Sequence, residues 1–245
     1  ERAAALQGDD VPVVLFDALD DETLAEVGRV VWEQRGDGVF SASSSGLADA
    51  LVAHWRRSGL LAEPTSTSPL RDVERIAVLS GSCSPVTAAQ IGWAATHGFA
   101  LERLDISRVL DAKTQGPEVE RVVAAAVTAL RAGLSPLIYS AAGPDDAAVR
   151  RFDEHAAHAG LTRDEAIRRV GNALAAVLPR LLDSVPLQRV AVAGGDSAGA
   201  VTQALAIDTL TVAAPLAPGA PLCRAGSRVA ARDGLEIVLK GGQMG

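Results

Sequence analysis

The first part of the chain alternates between apolar runs and amphipathic segments. Residues 11–16 (VPVVLF) are rich in β-branched side chains and predict a strand. Residues 20–35 begin with acidic residues and repeat apolar positions at helical spacing, which predicts a helix. A short strand over residues 38–41 and a helix over residues 48–57 follow by the same criteria. We therefore expect strand–helix units in this part of the chain.

A segment of proline, serine and threonine separates these units from the rest of the sequence. Residues 58–69 contain the run PTSTSP, a composition typical of a linker. We place a domain boundary within this segment, so that residues 1–63 form the first region and residues 64–245 form the second.

The alternation of strands and helices continues after the linker. Helices are expected over residues 86–97, 118–132 and 162–182 and in a segment ending at Leu205, and Thr162 with Glu165 has the pattern of a reciprocal N-cap. Residues 215–221 (PLAPGAP) have the composition of a rigid turn segment. Strands are predicted over residues 75–79, 99–104, 136–140, 189–193 and 235–239.

This order of elements predicts the fold class. Strands that alternate with helices indicate an α/β fold with a mostly parallel, Rossmann-like layered sheet and helices on both faces. Ligand sites in such sheets lie at the carboxyl ends of the strands. Three turns of small residues follow predicted strands in this sequence, so we expect the functional site among them.

Composition restricts the class of protein. Hydrophobic residues make up 48% of the 245 residues, but no apolar run reaches the roughly 18 residues that a spanning helix needs. The formal net charge is −7, and no run of lysine or arginine could neutralise a row of phosphates. Cys83 and Cys223 are far apart and lack metal-binding or thiol-exchange spacing. We therefore expect a soluble, cytoplasmic protein whose partners include neither membrane nor nucleic acid.

Both ends of the sequence suggest a longer polypeptide. The chain begins with Glu1 without the pattern of a signal peptide, and it stops on KGGQMG directly after a predicted strand. We expect these residues to be one part of a larger protein.

Residues 195–199 (GDSAG) match the G-x-S-x-G turn that carries the nucleophile of α/β-hydrolases. A hydrolase using Ser197 would need a histidine later in the chain, whereas all the histidines precede it: His54, His97, His155 and His158. Two other interpretations remain open. In the first, the glycines simply reverse the chain; in the second, they form a phosphate or ribose cradle at a helix start.

Two further turns contain residues that could bind an anion. Residues 80–84 (SGSCS) precede a predicted helix and favour an anion-binding turn, although Cys83 is also a candidate nucleophile at a helix start. Lys240 precedes two glycines at a strand end, where an ammonium group and backbone N–H groups can meet a phosphate. His155 and His158 share a helix face without a third ligand, so we predict no metal held by protein side chains.

These segments, in this order, resemble the carboxyl-terminal, nucleotide-binding half of the four-carbon acid sugar kinase family. The matching segments are SSSGL at 43–47, SGSCSP at 80–85 with Thr87 and Gln90, GGDSAG at 194–199, PGAP at 218–221 and KGGQMG at 240–245. The sequence departs from the family pattern at Ser43, Ser197, Gly241, Gln243 and Met244.

The resemblance implies an ATP-dependent kinase that phosphorylates the terminal hydroxyl of an erythronate-, threonate- or 3-oxo-tetronate-like acid, with Mg²⁺ bridging the phosphates. Residues 1–63 would then contain the end of a sugar-binding region, and residues 64–245 the nucleotide-binding domain. An amino-terminal domain outside this sequence would carry the substrate pocket and the catalytic base. A homo-oligomer is compatible with the sequence.

The resemblance also implies which residues surround the nucleotide. Asp196 is expected either to orient a metal-bound water or to bond the ribose. The full set is Ser82, Ser84, Gly194, Gly195, Asp196, Ser197, Lys240, Gly241 and Gly242. Two alternatives remain: a non-catalytic nucleotide- or ligand-binding module, and a hydrolase that uses Ser197 or Cys83.

Overall fold

The computed structural model describes residues 13–43, 45–62 and 70–242. The chain divides into two compact units, Glu1–Ser66 and Thr67–Gly245, which are described separately. The boundary predicted between residues 63 and 64 lies outside the described residues.

The first unit contains two helices, as predicted. Helix α1 spans Asp21–Glu33, a 3-10 turn follows at Arg35–Asp37, and α2 spans Gly46–Arg57. Asp20 caps α1 because its carboxylate accepts a hydrogen bond from the Thr23 N–H at 2.8 Å. The indole rings of Trp32 and Trp55 pack edge to face, 5.1 Å apart, and join the two helices.

The two strands predicted in this unit are wrong. Residues 13–16 and 38–41 belong to no strand, and residues 11 and 12 lie outside the described part. Val13, Leu15 and Phe40 are each more than 90% exposed. A strand needs a neighbour for its N–H and C=O groups, and among the described residues no segment pairs with either stretch. Local composition favours a strand here, but the pairing partner decides whether one forms.

The second unit is built on a seven-stranded sheet with the order β2-β3-β1-β4-β7-β6-β5. Its strands are β1 (Ala77–Ser80), β2 (Phe99–Arg103), β3 (Ser135–Tyr139), β4 (Arg189–Ala193), β5 (Ile207–Ala217), β6 (Ala220–Ser227) and β7 (Glu236–Lys240). All pairs among β2, β3, β1, β4 and β7 are parallel, whereas β6 pairs antiparallel with β7 and with β5. The structure thus confirms the mostly parallel α/β sheet.

Helices cover this sheet, as the alternation predicts. They are α3 (Pro85–Ala94), α4 (Ile106–Leu110), α5 (Gln115–Arg131), α6 (Ala147–Arg150), α7 (Phe152–His158), α8 (Arg163–Ser184) and α9 (Gly195–Ala204). The reciprocal cap predicted for Thr162 and Glu165 is present at the start of α8. Among the described residues, none of the helices combines the length and the apolar composition that crossing a bilayer requires.

Adjacent residues of β1 show that the two faces carry different helices. Leu79 belongs to the large core with α5, α8 and α9, whereas Val78 packs with Ile91 and Ala94 of α3. Successive side chains of a strand point to opposite faces, so α3 lies on one face and the other three helices lie on the opposite face.

The rigid turn predicted over residues 215–221 is wrong in its extent. Pro215 lies inside β5, and only the two residues between Ala217 and Ala220 form the hairpin turn. Strand β5 is at the edge of the sheet. A proline is tolerated in an edge strand because the missing N–H need not belong to a ladder. Composition alone therefore did not distinguish an edge strand from a loop.

A buried carboxylate ties the end of β2 to α5. Glu118 is fully buried, and its carboxylate accepts hydrogen bonds from the Asp105 N–H at 2.9 Å and from Arg121 at 2.8 and 3.0 Å. Burial alone would raise the pKa of Glu118, but the bonds from Arg121 and Asp105 and the charges of Arg121 and Arg108 hold that pKa below its usual value. The ionised form is therefore the one the fold requires.

We predict that Glu118→Gln lowers the free energy of unfolding by about 1–3 kcal/mol at pH 7, because a charge-assisted network loses its charge. Since folding depresses the pKa of Glu118, its contribution is present above the usual glutamate pKa and fades as the pH falls through the folded-state value. Urea unfolding at pH 7 and at acid pH measures both effects. The difference between wild type and variant should shrink at acid pH.

Glu120→Gln is the matched control, two residues along the same helix. Glu120 is largely exposed and pairs with Arg180 at 3.2 Å. We expect its loss to change the free energy of unfolding by less than about 0.5 kcal/mol. Equal effects of the two substitutions would contradict the role assigned to Glu118.

Candidate functional site

Three turns that are far apart in the sequence meet at the carboxyl edge of the sheet. Strands β1, β4 and β7 are neighbours, and each ends at this edge. The Gly81 N–H donates to the Ala193 carbonyl at 3.0 Å, and the Gly194 N–H donates to the Lys240 carbonyl at 3.0 Å. These two bonds extend the strand pairing by one residue and place the turns side by side.

The turns enclose a cavity of about 420 Å³. Seven of the nine predicted nucleotide-binding residues line it, whereas Lys240 and Gly241 do not. The lining residues are Gly81, Ser82, Cys83, Ser84, Pro85, Gly194, Gly195, Asp196, Ser197 and Gly242. The structure therefore brings most of the predicted set together, although their role toward a nucleotide remains a prediction.

The first turn of α9 presents free backbone N–H groups to this cavity. Its N-cap is Gly194, with φ of 114°, a backbone conformation that side chains other than glycine rarely adopt. Glycine offers no side-chain oxygen, so, among the described residues, no side-chain cap satisfies this helix start. Uncapped N–H groups and the helix dipole together favour an anion at this position.

The start of the neighbouring helix, α3, is instead capped by side-chain hydroxyl groups. Ser84 is the N-cap of α3, and its Oγ accepts a hydrogen bond from the Thr87 N–H at 3.1 Å. The Ser84 hydroxyl also donates to the Gly242 carbonyl. Ser82 and Thr87, whose oxygens are 3.0 Å apart, complete this buried cluster. The cluster joins the turn after β1 to the turn after β7.

Thr87 is a site residue that the predicted set leaves out. It lies three residues after the N-cap serine, a spacing that places its hydroxyl over the same helix turn. The sequence contains this signal as the threonine of the SGSCSP-V-T segment. Only the structure, however, shows that the hydroxyl faces the end of β7.

Lys240 is not among the residues that line the cavity, but its side chain lies next to them. Its Nζ is 3.3 Å from Thr87 Oγ1, and the residue is partly buried. Burial lowers the pKa of the Lys240 amine, and within the described chain no carboxylate offsets that effect. An ammonium group held without a counter-charge near these turns is electrostatically suited to an anionic ligand.

The environment of Ser197 does not suit a nucleophile. The residue is only 6% exposed, and its Oγ packs so closely on Gly81 that a Cβ added there would lie 2.0 Å away. No histidine is among the described residues that line the cavity. A serine nucleophile needs an adjacent base and an accessible oxygen. The arrangement therefore favours a packing role for Ser197 over hydrolysis.

Cys83 is also a poor nucleophile. Although Cys83 is exposed, desolvation by the surrounding atoms raises the pKa of its thiol, and the nearby charge of Asp146 raises that pKa further. The thiolate is the reactive form, so its population at neutral pH is small.

Metal ligands are sparse at this site. No group of three histidine, cysteine, aspartate or glutamate residues in the described chain could hold a metal ion. Asp196, which is exposed, is the only carboxylate among the described lining residues. His155 and His158 lie on α7, away from these turns.

A second cavity, of about 440 Å³, lies beside the end of β2. Four arginines line it, but each is already paired with a carboxylate. The pairs are Arg103 with Asp146, Arg108 with Glu118, Arg121 with Glu118 and Glu102, and Arg151 with Glu154. We assign it no ligand because fixed carboxylates balance these charges.

Comparison with known proteins gives matches along nearly the whole chain. A model of the family described as "Nucleotide-binding C-terminal domain" matches residues 77–245. Over all of its length the chain is 62% identical to 3-oxo-isoapionate kinase of Paraburkholderia graminis, of which it covers 52%. It is 31% identical to 3-oxo-tetronate kinase of Brucella melitensis over 98% of the chain and 50% of that protein. The chain thus spans about half the length of the curated relatives it matches.

Solved structures show the same fold. A crystal structure from Salmonella typhimurium LT2 matches with a TM-score of 0.66 and 28% identity, covering 94% of this chain and 49% of that one. A crystal structure of a Haemophilus influenzae protein matches with a TM-score of 0.65 and 23% identity, covering 94% and 50%. At that lower identity the likeness extends to the fold alone.

We predict that a fluorophosphonate probe does not label Ser197, because its hydroxyl is packed against Gly81 and lacks a basic partner. Mass spectrometry of the treated chain measures the labelling, with a known serine hydrolase as positive control. Stoichiometric modification that disappears in Ser197→Ala would restore the hydrolase alternative.

Proposed function

Since this chain belongs to the four-carbon acid sugar kinase family and contains its nucleotide-binding C-terminal domain, we propose that it supplies the ATP-binding part of a sugar-acid kinase. The chain spans about half of its kinase relatives. The other half of the site, including the sugar-acid pocket and the catalytic base, is therefore expected in a second region of the same polypeptide. We expect phosphoryl transfer only when both regions are present.

The observation that carries this proposal is the convergence of three turns on one cavity. The turns after β1, β4 and β7 line it with small residues, hydroxyl groups and an uncapped helix start. Catalysis of phosphoryl transfer depends mainly on positioning and on charge neutralisation, and these groups provide both without a nucleophile. Small side chains let the phosphates approach the backbone closely.

Each element of the wall has a distinct role in this proposal. The N–H groups at the start of α9 donate to phosphate oxygens, and the Ser82 hydroxyl donates from the opposite wall. Lys240, with Gly241 and Gly242 after it, contributes positive charge from the third turn. Asp196, which lines the same cavity, is proposed to orient a metal-bound water or to accept a hydrogen bond from the ribose.

Mg²⁺ fits this site only as an ion that arrives with the nucleotide. Mg²⁺ commonly binds one or two carboxylates together with substrate phosphates and water. Asp196 is the one carboxylate in the described wall and would be its protein ligand, directly or through water. Bound there, the ion would neutralise phosphate charge.

The relatives favour a particular substrate. Identity is 62% to the enzyme named 3-oxo-isoapionate kinase but 31% to the enzyme named 3-oxo-tetronate kinase. We therefore propose a substrate of the 3-oxo-isoapionate type, with transfer to its terminal hydroxyl. We further propose that this kinase acts in carbohydrate metabolism. Its two unpaired cysteines agree with a location in the cytoplasm.

We predict that the 245-residue chain binds Mg-ATP and that Lys240→Met weakens this binding by about 10- to 100-fold, the cost of one charge-assisted interaction. Calorimetric titration of wild type and variant measures the affinity. Lys113→Met is the control, because Lys113 is the only other lysine in the chain and is exposed, away from the cavity.

A wild-type chain that gives no heat and no thermal shift at millimolar Mg-ATP would contradict the nucleotide site. Equal losses in the Lys240 and Lys113 variants would show instead that overall charge, rather than the β7 turn, governs binding.

We predict that the complete gene product releases ADP from ATP with 3-oxo-isoapionate, and that its kcat/KM with 3-oxo-tetronate is at least about tenfold lower, a difference of roughly 1.4 kcal/mol. A coupled assay for ADP measures both rates. Slow, substrate-independent ATP hydrolysis would support a non-catalytic nucleotide-binding module, and a preference for 3-oxo-tetronate would reverse the substrate assignment.

A further inference from the structure

One buried hydroxyl connects the wall of the cavity with the ammonium group behind it. Thr87 is 2% exposed, and its Oγ1 lies 3.3 Å from Lys240 Nζ and 3.1 Å from Ser84 Oγ. The same oxygen is 3.0 Å from Ser82 Oγ and 3.2 Å from the Gly242 carbonyl. The contacts of this single atom therefore span two of the three turns that form the site.

This hydroxyl uses its proton and one of its two acceptor positions. A threonine hydroxyl has one proton and two acceptor positions. Lys240 donates to one acceptor position, and the Thr87 proton goes either to Ser82 Oγ or to the Gly242 carbonyl. The Ser84 hydroxyl lies 3.1 Å away, but its single proton goes to the Gly242 carbonyl and so does not fill the other acceptor position. Thr87 Oγ1 is the one hydrogen-bond acceptor found for Lys240 Nζ within the described chain. Without it, the ammonium would be partly buried and unpaired.

We propose that Thr87 is a positioning residue for nucleotide binding, because its hydroxyl holds the Lys240 ammonium behind the phosphates and fastens the turn after β7 to the turn after β1. This inference rests on the proposed nucleotide site. Thr87 is not among the residues that line the cavity, so it acts through Lys240 and Gly242 rather than on the ligand.

A purely structural role for Thr87 is the competing explanation, and the contacts allow a test. The cap of α3 uses the Thr87 backbone N–H, which donates to Ser84 Oγ at 3.1 Å. Any residue other than proline at this position can keep that bond. Thr87→Val therefore removes the hydroxyl while preserving the helix cap and the side-chain shape, and Thr87→Ser keeps the hydroxyl and loses only a methyl group.

We expect Thr87→Val to weaken Mg-ATP binding to the 245-residue chain by about tenfold, since an interaction with a charged group is lost. Thr87→Ser should stay within about threefold of wild type. Calorimetry gives both affinities, and thermal unfolding of the same samples confirms that the compared proteins are folded. Should Thr87→Val not fold, Thr87→Ala replaces it, because the smaller side chain leaves room for a water at the hydroxyl position.

A double-mutant cycle shows whether the effect passes through Lys240. In a Lys240→Met background, adding Thr87→Val should change the affinity by less than about twofold, because the positioned group is already gone. A second full tenfold loss in that background would overturn the inference.

The lysines provide a readout that does not need the nucleotide. The chain has two, Lys113 and Lys240, so NMR of ¹³C-lysine-labelled protein follows each ammonium separately. A hydrogen bond to the ammonium form favours protonation, so Thr87→Val should move the titration of Lys240 to lower pH and leave that of Lys113 unchanged. An unchanged Lys240 titration would overturn the inference.

The two proposals fail in different ways. If the wild-type chain does not bind Mg-ATP, the nucleotide site is wrong, yet the lysine titration still decides whether Thr87 holds Lys240. If the wild type binds and Thr87→Val binds equally well, only the role of Thr87 is wrong.

Discussion

Ser80, Ala193 and Lys240 occupy one row across β1, β4 and β7, and the candidate site depends on this register. In parallel strands, residues paired across the sheet point to the same face. A shift of β7 by one residue would turn the Lys240 side chain to the opposite face of the sheet. It would also remove the bond from the Gly194 N–H to the Lys240 carbonyl. The sheet therefore fixes both the meeting of the turns and the direction of the ammonium.

The register also explains why Lys240 reaches α3. Val78 packs with α3, and Ser80, two residues later in β1, projects to the same face. Lys240 shares the row of Ser80 and so points to that face, where the first turn of α3 presents Thr87. On the other side, α9 starts directly after β4 and presents its N–H groups. The two helix starts thus differ in chemistry: α3 is closed by hydroxyl groups, and α9 is open to an anion.

Much of this arrangement follows from the sequence, and the parts that do not follow have a common cause. The parallel strands and the cap at Thr162 were predictable because each is encoded in a few adjacent residues. The predicted strands at residues 13–16 and 38–41 depend on a pairing partner that local composition cannot specify. Pro215 looked like a turn residue because only the position of β5 at the sheet edge makes it acceptable in a strand. Thr87 and Lys240 are 153 positions apart in sequence, so their contact exists only through the register of β1, β4 and β7.

The net charge of the chain and the local charges at the candidate site act in opposite directions on an anionic ligand. The chain is acidic, with a net charge of −7, and a polyanion such as ATP would be repelled at long range. The open start of α9 offsets this locally at the cavity. The Lys240 ammonium, which lies beside Thr87 rather than in the cavity lining, adds positive charge whose partial burial reduces screening by water. Burial has an opposing effect, because it lowers the pKa of that amine and disfavours the charge on which the proposed nucleotide binding relies. A hydrogen bond from the ammonium to Thr87 Oγ1 counters this effect by stabilising the charged form. In the proposed nucleotide site, the same contact would both maintain the cation and hold it in place for a phosphate.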